Sequence, residues 1–302
     1  MNPAYSVIFF STLSGAGYGL LYWCAVAALM RPGTVSLPPV GCALALIILG
    51  LLSSTAHLGH PERAWRAFSQ WRTSWLSREG VAAMVTFMPM LGLGAGIYLN
   101  IDGLISAMAG MAMLGALVTV YCTAMIYASL KTIPQWNQRS VPLIYLLFSL
   151  SSGAVLGAAF GLMGTALMTL LGMCLWFASW LAKLSYWNRS GTLRGPTLPD
   201  ALGLPEYRGG RILDQAHTQE NFVQREMGYR IARKHVQKLR KIALLLALLT
   251  VVGTGITLQT GSTWGVWLAI PVMLGALIME RWLFFAEARH IANLYYSGTM
   301  TG

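Results

Sequence analysis

Charge is what this sequence has least of. Lys, Arg, Asp and Glu make up 10% of its 302 residues, and only 10 residues are acidic. A soluble domain of this length carries about 25% charged residues, so the soluble globular class is excluded. Cysteine is also scarce. Cys24, Cys42, Cys122 and Cys174 each fall inside an apolar stretch, and no pair is spaced C-x-x-C. Iron–sulfur ligation by this chain and c-type haem attachment therefore have no framework, and the thiols read as small buried hydrophobes. No positive residue precedes the first apolar run, the first being Arg31, so no secretory signal is expected there. The dinucleotide fingerprint is missing as well. Residues 14–19 read S-G-A-G-Y-G, with G-x-G-x-G spacing inside an apolar run and no strand before it.

What the chain has instead is hydrophobicity. Apolar residues reach 56% and the mean hydropathy is +0.58. Eight runs approach or exceed the roughly 20 residues that cross a bilayer core. They predict spans over 5–30, 39–56, 77–98, 104–130, 141–161, 163–186, 241–258 and 264–286, an all-α integral membrane fold in one polytopic domain. The fifth and sixth are separated only by Gly161-Leu162-Met163-Gly164. Residues 187–240 form a long polar connection, rich in Pro and Gly at first. Its second part, 218–241, has Phe222, Val223, Met227 and Ile231 at helical spacing beside Arg225, Arg230, Arg233 and Lys234. It reads as a basic amphipathic helix, either against lipid phosphates or as a docking platform for a soluble subunit. With eight spans, all but Arg31 of the 21 Lys and Arg fall on the side that holds both termini and the 2–3, 4–5 and 6–7 connections. The positive-inside rule makes that side the cytoplasm. Topology accounts for the basic excess, so no nucleic-acid partner is expected.

The chemistry is concentrated in residues 57–80, H-L-G-H-P-E-R-A-W-R-A-F-S-Q-W-R-T-S-W-L-S-R-E-G. Pro61 starts a short interfacial helix whose aromatic side, Trp65, Phe68, Trp71 and Trp75, suits the headgroup level. Glu79 falls near the hydrocarbon boundary, where a lone carboxylate is costly, and His57 or Arg78 is its expected partner. Such residues suit quinone chemistry, which needs hydrogen-bond donors at the ring carbonyls and a proton path. His57 is the candidate for the ring, and Glu79 with His60 for proton delivery. Arg66, Arg72 and Arg78 supply positive charge for a reduced, anionic ring, and Trp71, Trp75 and Ser77 supply its walls. Ser14 and Gly15 offer either close helix packing or a backbone surface for a flat ring. The structural alternative has His57 capping a helix, Glu79 paired with an arginine and the tryptophans as anchors. Haem b held by His57 or His60 with His235 or His290 stays open, and no protein-ligated metal is expected. A transporter would need ionisable residues in mid-span, and none stands out.

Three stretches carry a resemblance: H-L-G-H-P-E-R-A-W (57–65), S-W-L-S-R-E-G (74–80) and A-M-I-Y-A-S-L-K-T-I-P-Q-W (124–136). They resemble the membrane anchor subunit of DMSO reductase and its relatives, which include the anchor of the cytoplasm-facing, quinone-linked sulfite dehydrogenase. Residues 60–80 look closer to the sulfite dehydrogenase branch. The resemblance implies a three-subunit oxidoreductase of the respiratory chain in a bacterial inner membrane, with partner subunits on the cytoplasmic face. A molybdenum catalytic subunit would pass electrons through an iron–sulfur subunit to this anchor and on to quinone, with ubiquinone favoured. Molybdopterin and the iron–sulfur clusters would belong to the partners only. In that family the residues matching His57 and Glu79 are tied to quinone chemistry. The expected function is therefore quinone-binding anchor of a sulfite dehydrogenase. The alternatives are a quinol-oxidising anchor of a DMSO-type reductase and a structural anchor with no quinone site of its own.

Overall fold

The computed structural model describes residues 4–55, 60–193 and 231–291. His57 and residues 218–230 of the expected amphipathic helix lie outside these described residues. Eight helices among the described residues are long and apolar enough to cross a membrane. They are α1 (Tyr5–Met30), α2 (Leu37–Thr55), α3 (Trp75–Leu99), α4 (Asp102–Ala128), α5 (Ser140–Ala159), α6 (Thr165–Thr192), α7 (Ile231–Thr260) and α8 (Trp264–Ala286). A 3-10 helix, Pro61–Gln70, stands between α2 and α3.

Local chemistry sets several boundaries. The Ser74 hydroxyl accepts the Ser77 N–H at 3.4 Å and caps the start of α3. Asn100 closes α3 in the left-handed conformation. The short turn between α5 and α6 is real. Gly161 and Gly164 take φ of +70° and +93°, which lets the chain reverse within a few residues at little cost. Two helices run past their apolar segments. α6 continues to Thr192, and α7 begins at Ile231, ahead of the expected start at 241.

α1 and α5 form the buried centre. α1 packs on α2, α4, α5 and α8, and the sequential hairpins α3–α4, α5–α6 and α7–α8 close around it. Where lipid replaces water, close van der Waals packing between small residues drives helix association, and both central helices are rich in them. Gly19 of α1 meets Ser149 and Gly153 of α5 main chain to main chain, so a Cβ on Gly19 or Gly153 would overlap the opposing backbone. Gly17 faces Ala43 and Ile47 of α2 in the same manner. The outer faces are apolar: Met88, Val85, Leu114 and Phe177 are among the exposed large hydrophobics. Consecutive membrane-crossing helices run in opposite directions. The starts of α1, α3, α5 and α7 and the ends of α2, α4, α6 and α8 therefore gather on one side, hereafter the basic face.

Candidate functional site

Each residue of S-R-E-G has a separate job at the start of α3. Ser77 is buried in the first turn. Arg78 turns outward, donating from Nε to the Trp71 carbonyl at 3.0 Å and from Nη2 to the Arg72 carbonyl at 2.7 Å. Its guanidinium also lies 4.3 Å from the Trp75 ring centroid, so it ties down the chain between the 3-10 helix and α3. Gly80 leaves bare backbone under the Phe68 ring, whose Cε1 would stand 3.0 Å from a Cβ there. Glu79 points into the bundle and is 5% exposed. Its partner is Thr123 of α4, whose hydroxyl bonds Oε1. Arg78, one of the two partners expected for Glu79, is engaged with main-chain carbonyls, and His57 lies outside the described residues.

Thr123 reaches back to the Thr119 carbonyl at 3.0 Å, and the Thr119 hydroxyl stands 3.3 Å from that of Thr86. A ladder of threonine hydroxyls thus runs inward from Glu79 between α3 and α4. A hydroxyl can donate to a carboxylate or accept from a carboxylic acid. Thr123 therefore satisfies Glu79 in either protonation state, which suits a proton carrier.

Thr123 also lines a cavity of about 20 Å³ between α1, α4, α5 and α8. Ser14, Gly15, Tyr145, Ser149 and Arg281 are among the other walls. Ser14 Oγ donates to the Phe10 carbonyl at 2.6 Å, and Ser149 Oγ donates to the Gly15 carbonyl at 2.6 Å. Two of the sequence candidates, Ser14 and Gly15, are thereby brought within one cavity of the Glu79 partner.

Behind the cavity lies a charged cluster that sequence reasoning missed. Lys183 of α6 and Glu280 of α8 form an ion pair at 2.5 Å, with side chains 1% and 0% exposed. Arg281 Nε stands 3.5 Å from the other Glu280 oxygen, and its guanidinium lies 3.6 Å from the Tyr145 ring centroid. Lys183 sits over the rings of Tyr186 and Phe284. The 4–5 connection seals the cluster: Trp136 stacks on Phe284 and donates from Nε1 to its carbonyl at 3.0 Å. The topology count puts Lys183 and Arg281 with the charges outside the membrane and finds no charge in mid-span. In the structure both side chains are buried inside the helix bundle instead, toward the basic-face ends of α6 and α8. The available signal was Glu280-Arg281 standing inside the apolar run L-I-M-E-R-W-L-F-F, since an ionisable residue inside a span is a functional candidate by default.

The remaining candidates make other contacts. His60 Nδ1 is 3.0 Å from Glu62 Oε1, and both side chains are exposed. Arg66 and Arg72 are exposed and lie over Trp65 and Trp71, at 5.7 and 5.6 Å from the ring centroids. Trp75 meets Tyr121 of α4 edge to face. His235 is exposed on the first turns of α7, and His290 follows α8. No group of three or more potential metal-ligating side chains occurs among the described residues.

With this geometry in place, comparison with known proteins is informative. Residues 1–286 match the family described as DMSO reductase anchor subunit (DmsC). A sulfite dehydrogenase subunit of Allochromatium vinosum is 33% identical over 329 residues, covering 98% of this chain and 99% of that protein. No solved structure matches.

Proposed function

This chain belongs to the DMSO reductase anchor subunit family, and on that premise we propose that it is the quinone-binding membrane anchor of a molybdenum and iron–sulfur sulfite dehydrogenase. The relative's name supports the sulfite branch. In this reading the basic face is cytoplasmic, and an iron–sulfur subunit docks there on the 2–3 and 6–7 connections. The catalytic subunit, which carries the molybdenum cofactor, is held in place through it. Electrons from sulfite pass to quinone in the bilayer.

One observation carries the quinone assignment: Glu79, a buried carboxyl one turn into α3, held by a hydroxyl that suits both its protonation states. The 20 Å³ cavity holds about one water and is too small for a quinone ring. The ring would instead reach the Glu79 carboxyl from the bilayer between α2 and α3, which touch each other only lightly. Glu79 gives a proton to a ring oxygen there, and His57 donates a hydrogen bond to the ring. Quinone supplies the two-electron acceptor; the chain supplies proton, orientation and exclusion of water.

The test is sulfite-dependent quinone reduction by the purified complex, wild type beside Glu79→Gln and His57→Ala, with an artificial acceptor reporting the molybdenum site separately. Loss of quinone reduction by ~10²-fold or more, with the artificial-acceptor rate kept, is the expected result. Survival of both activities removes the site. A wild-type complex that fails with sulfite yet oxidises quinol with DMSO reverses the direction and makes this a reductase anchor.

A further inference from the structure

We propose that the cavity between α1, α4, α5 and α8 is a water-binding site that feeds protons to Glu79 through the Thr123 hydroxyl, with Arg281 and Thr12 holding the water. The proposal rests on the reading of Glu79 as proton donor to quinone. Three observations carry it.

The first is fit. A polar cavity of about 20 Å³ has room for one water, which needs two or more polar partners to stay. The second is unmet demand. Arg281 and Thr12 both line this cavity, each residue is only 3% exposed, and Arg281 Nη1 and Thr12 Oγ1 have no hydrogen-bond partner among the described residues. A guanidinium N–H and a hydroxyl buried without partners are costly, and a water between them satisfies both. The third is connection. Thr123 belongs to the cavity wall and is also bonded to Glu79, so one residue joins the cavity to the carboxyl.

The proton inventory closes. When Glu79 is ionised, the Thr123 proton moves to Oε1 and a proton from the water replaces it on the hydroxyl. The water is restored by a proton entering from the basic face. Arg281 lines the cavity, and its neighbour Glu280 is shared with Lys183. His60, exposed and paired with Glu62, is not needed on this route.

The experiment uses the intact membrane complex with Thr123→Val, Thr123→Ser, Arg281→Gln and His60→Ala, assayed with decyl-quinone in H2O and D2O. Redox-induced infrared difference spectra are recorded alongside. The proposal expects Thr123→Val to lower kcat ~10–100-fold, part of the ~10²–10⁴ that a positioned proton carrier contributes, with KM for quinone kept. The solvent isotope effect rises, and the Glu79 carboxyl band, identified by its loss in Glu79→Gln, shifts. Thr123→Ser restores all three. Arg281→Gln removes the water O–H band that moves in H2¹⁸O; if that variant does not fold, the isosteric Thr123→Val decides. Unchanged kcat and isotope effect in Thr123→Val, with Glu79→Gln still inactive, overturns the relay and leaves the quinone site standing. The same losses in His60→Ala place the route on the exposed helix and overturn it too. Intact quinone reduction in Glu79→Gln removes the underlying reading and the relay with it.

Discussion

Glu280 serves two cations, and that asymmetry makes a quantitative prediction. Its oxygens face Lys183 Nζ at 2.5 Å and Arg281 Nε at 3.5 Å, and all three side chains are at least 96% buried. Glu280→Gln keeps the shape but leaves two buried positive charges with no anion. Removing one partner of a buried pair costs about 3–5 kcal/mol, mostly from the charge left behind. Lys183→Met is different. It removes the lysine charge and fills the space with a similar chain, while Glu280 keeps Arg281. What remains is a lost charged hydrogen bond, worth about 1.5–3 kcal/mol. The double variant has one stranded charge where Glu280→Gln has two, so it should be more stable than Glu280→Gln alone. The assay is the fraction of complex that stays monodisperse on size exclusion after heating. At roughly 2–4 °C per kcal/mol for a domain of this order of size, Glu280→Gln should lower the apparent midpoint by about 10 °C. Lys183→Met should lower it by about half that. Equal losses in the two single variants, or a double variant whose loss is the sum of theirs, would refute the reasoning and put these charges in contact with water.

Two further outcomes follow from the packing and from the proposed orientation. Gly153→Ala drives a Cβ into the Gly19 main chain and should cost about 1–3 kcal/mol or more, seen as lower yield and midpoint of the folded complex; Gly41→Ala, with nothing within 4 Å of its Cβ, should be neutral by the same measure. If electrons and protons both reach the quinone from the basic face, turnover moves no net charge across the bilayer. Proteoliposomes given sulfite and quinone should then show no potential on a voltage-sensitive dye, and a potential that rises without another pump contradicts the arrangement.

The eight helices were legible because lipid leaves a chain little choice: backbone groups must be bonded within each span, and the apolar runs mark where. The start of α3 was legible too, because a carboxyl, an arginine and tryptophans crowd a boundary that is otherwise apolar. The partner of Glu79 was not. Thr123 lies 44 residues further on, and a threonine in an apolar helix gives no signal until α3 and α4 are packed together. The cavity was hidden for the same reason, since its walls come from four helices and only Ser14, Gly15, Ala16 and Tyr18 stood in a noticeable motif.

The charged cluster was missed through one specific inference, that a span ends where hydrophobicity ends. Closing the sixth span at residue 186 puts Lys183 at its rim, where a lysine reads as an anchor to the headgroups. The helix runs on to Thr192, nine residues beyond Lys183, or about 13 Å at 1.5 Å per residue. That extension lets Lys183 turn inward to Glu280 rather than snorkel toward lipid phosphates. Arg281 is misplaced by the same reasoning at the end of the eighth span, although five residues of α8 follow it. Withdrawing these two charges from the topology count does not disturb the orientation argument, because Arg31 remains heavily outnumbered. It changes what the two residues are for. A positive charge outside the membrane is a topological signal of modest cost, whereas a buried one must be matched and is kept only where the matched set contributes something more. Here one member of that set, Arg281, lines the cavity together with Thr123, the partner of the only buried carboxyl that has no cation of its own among the described residues.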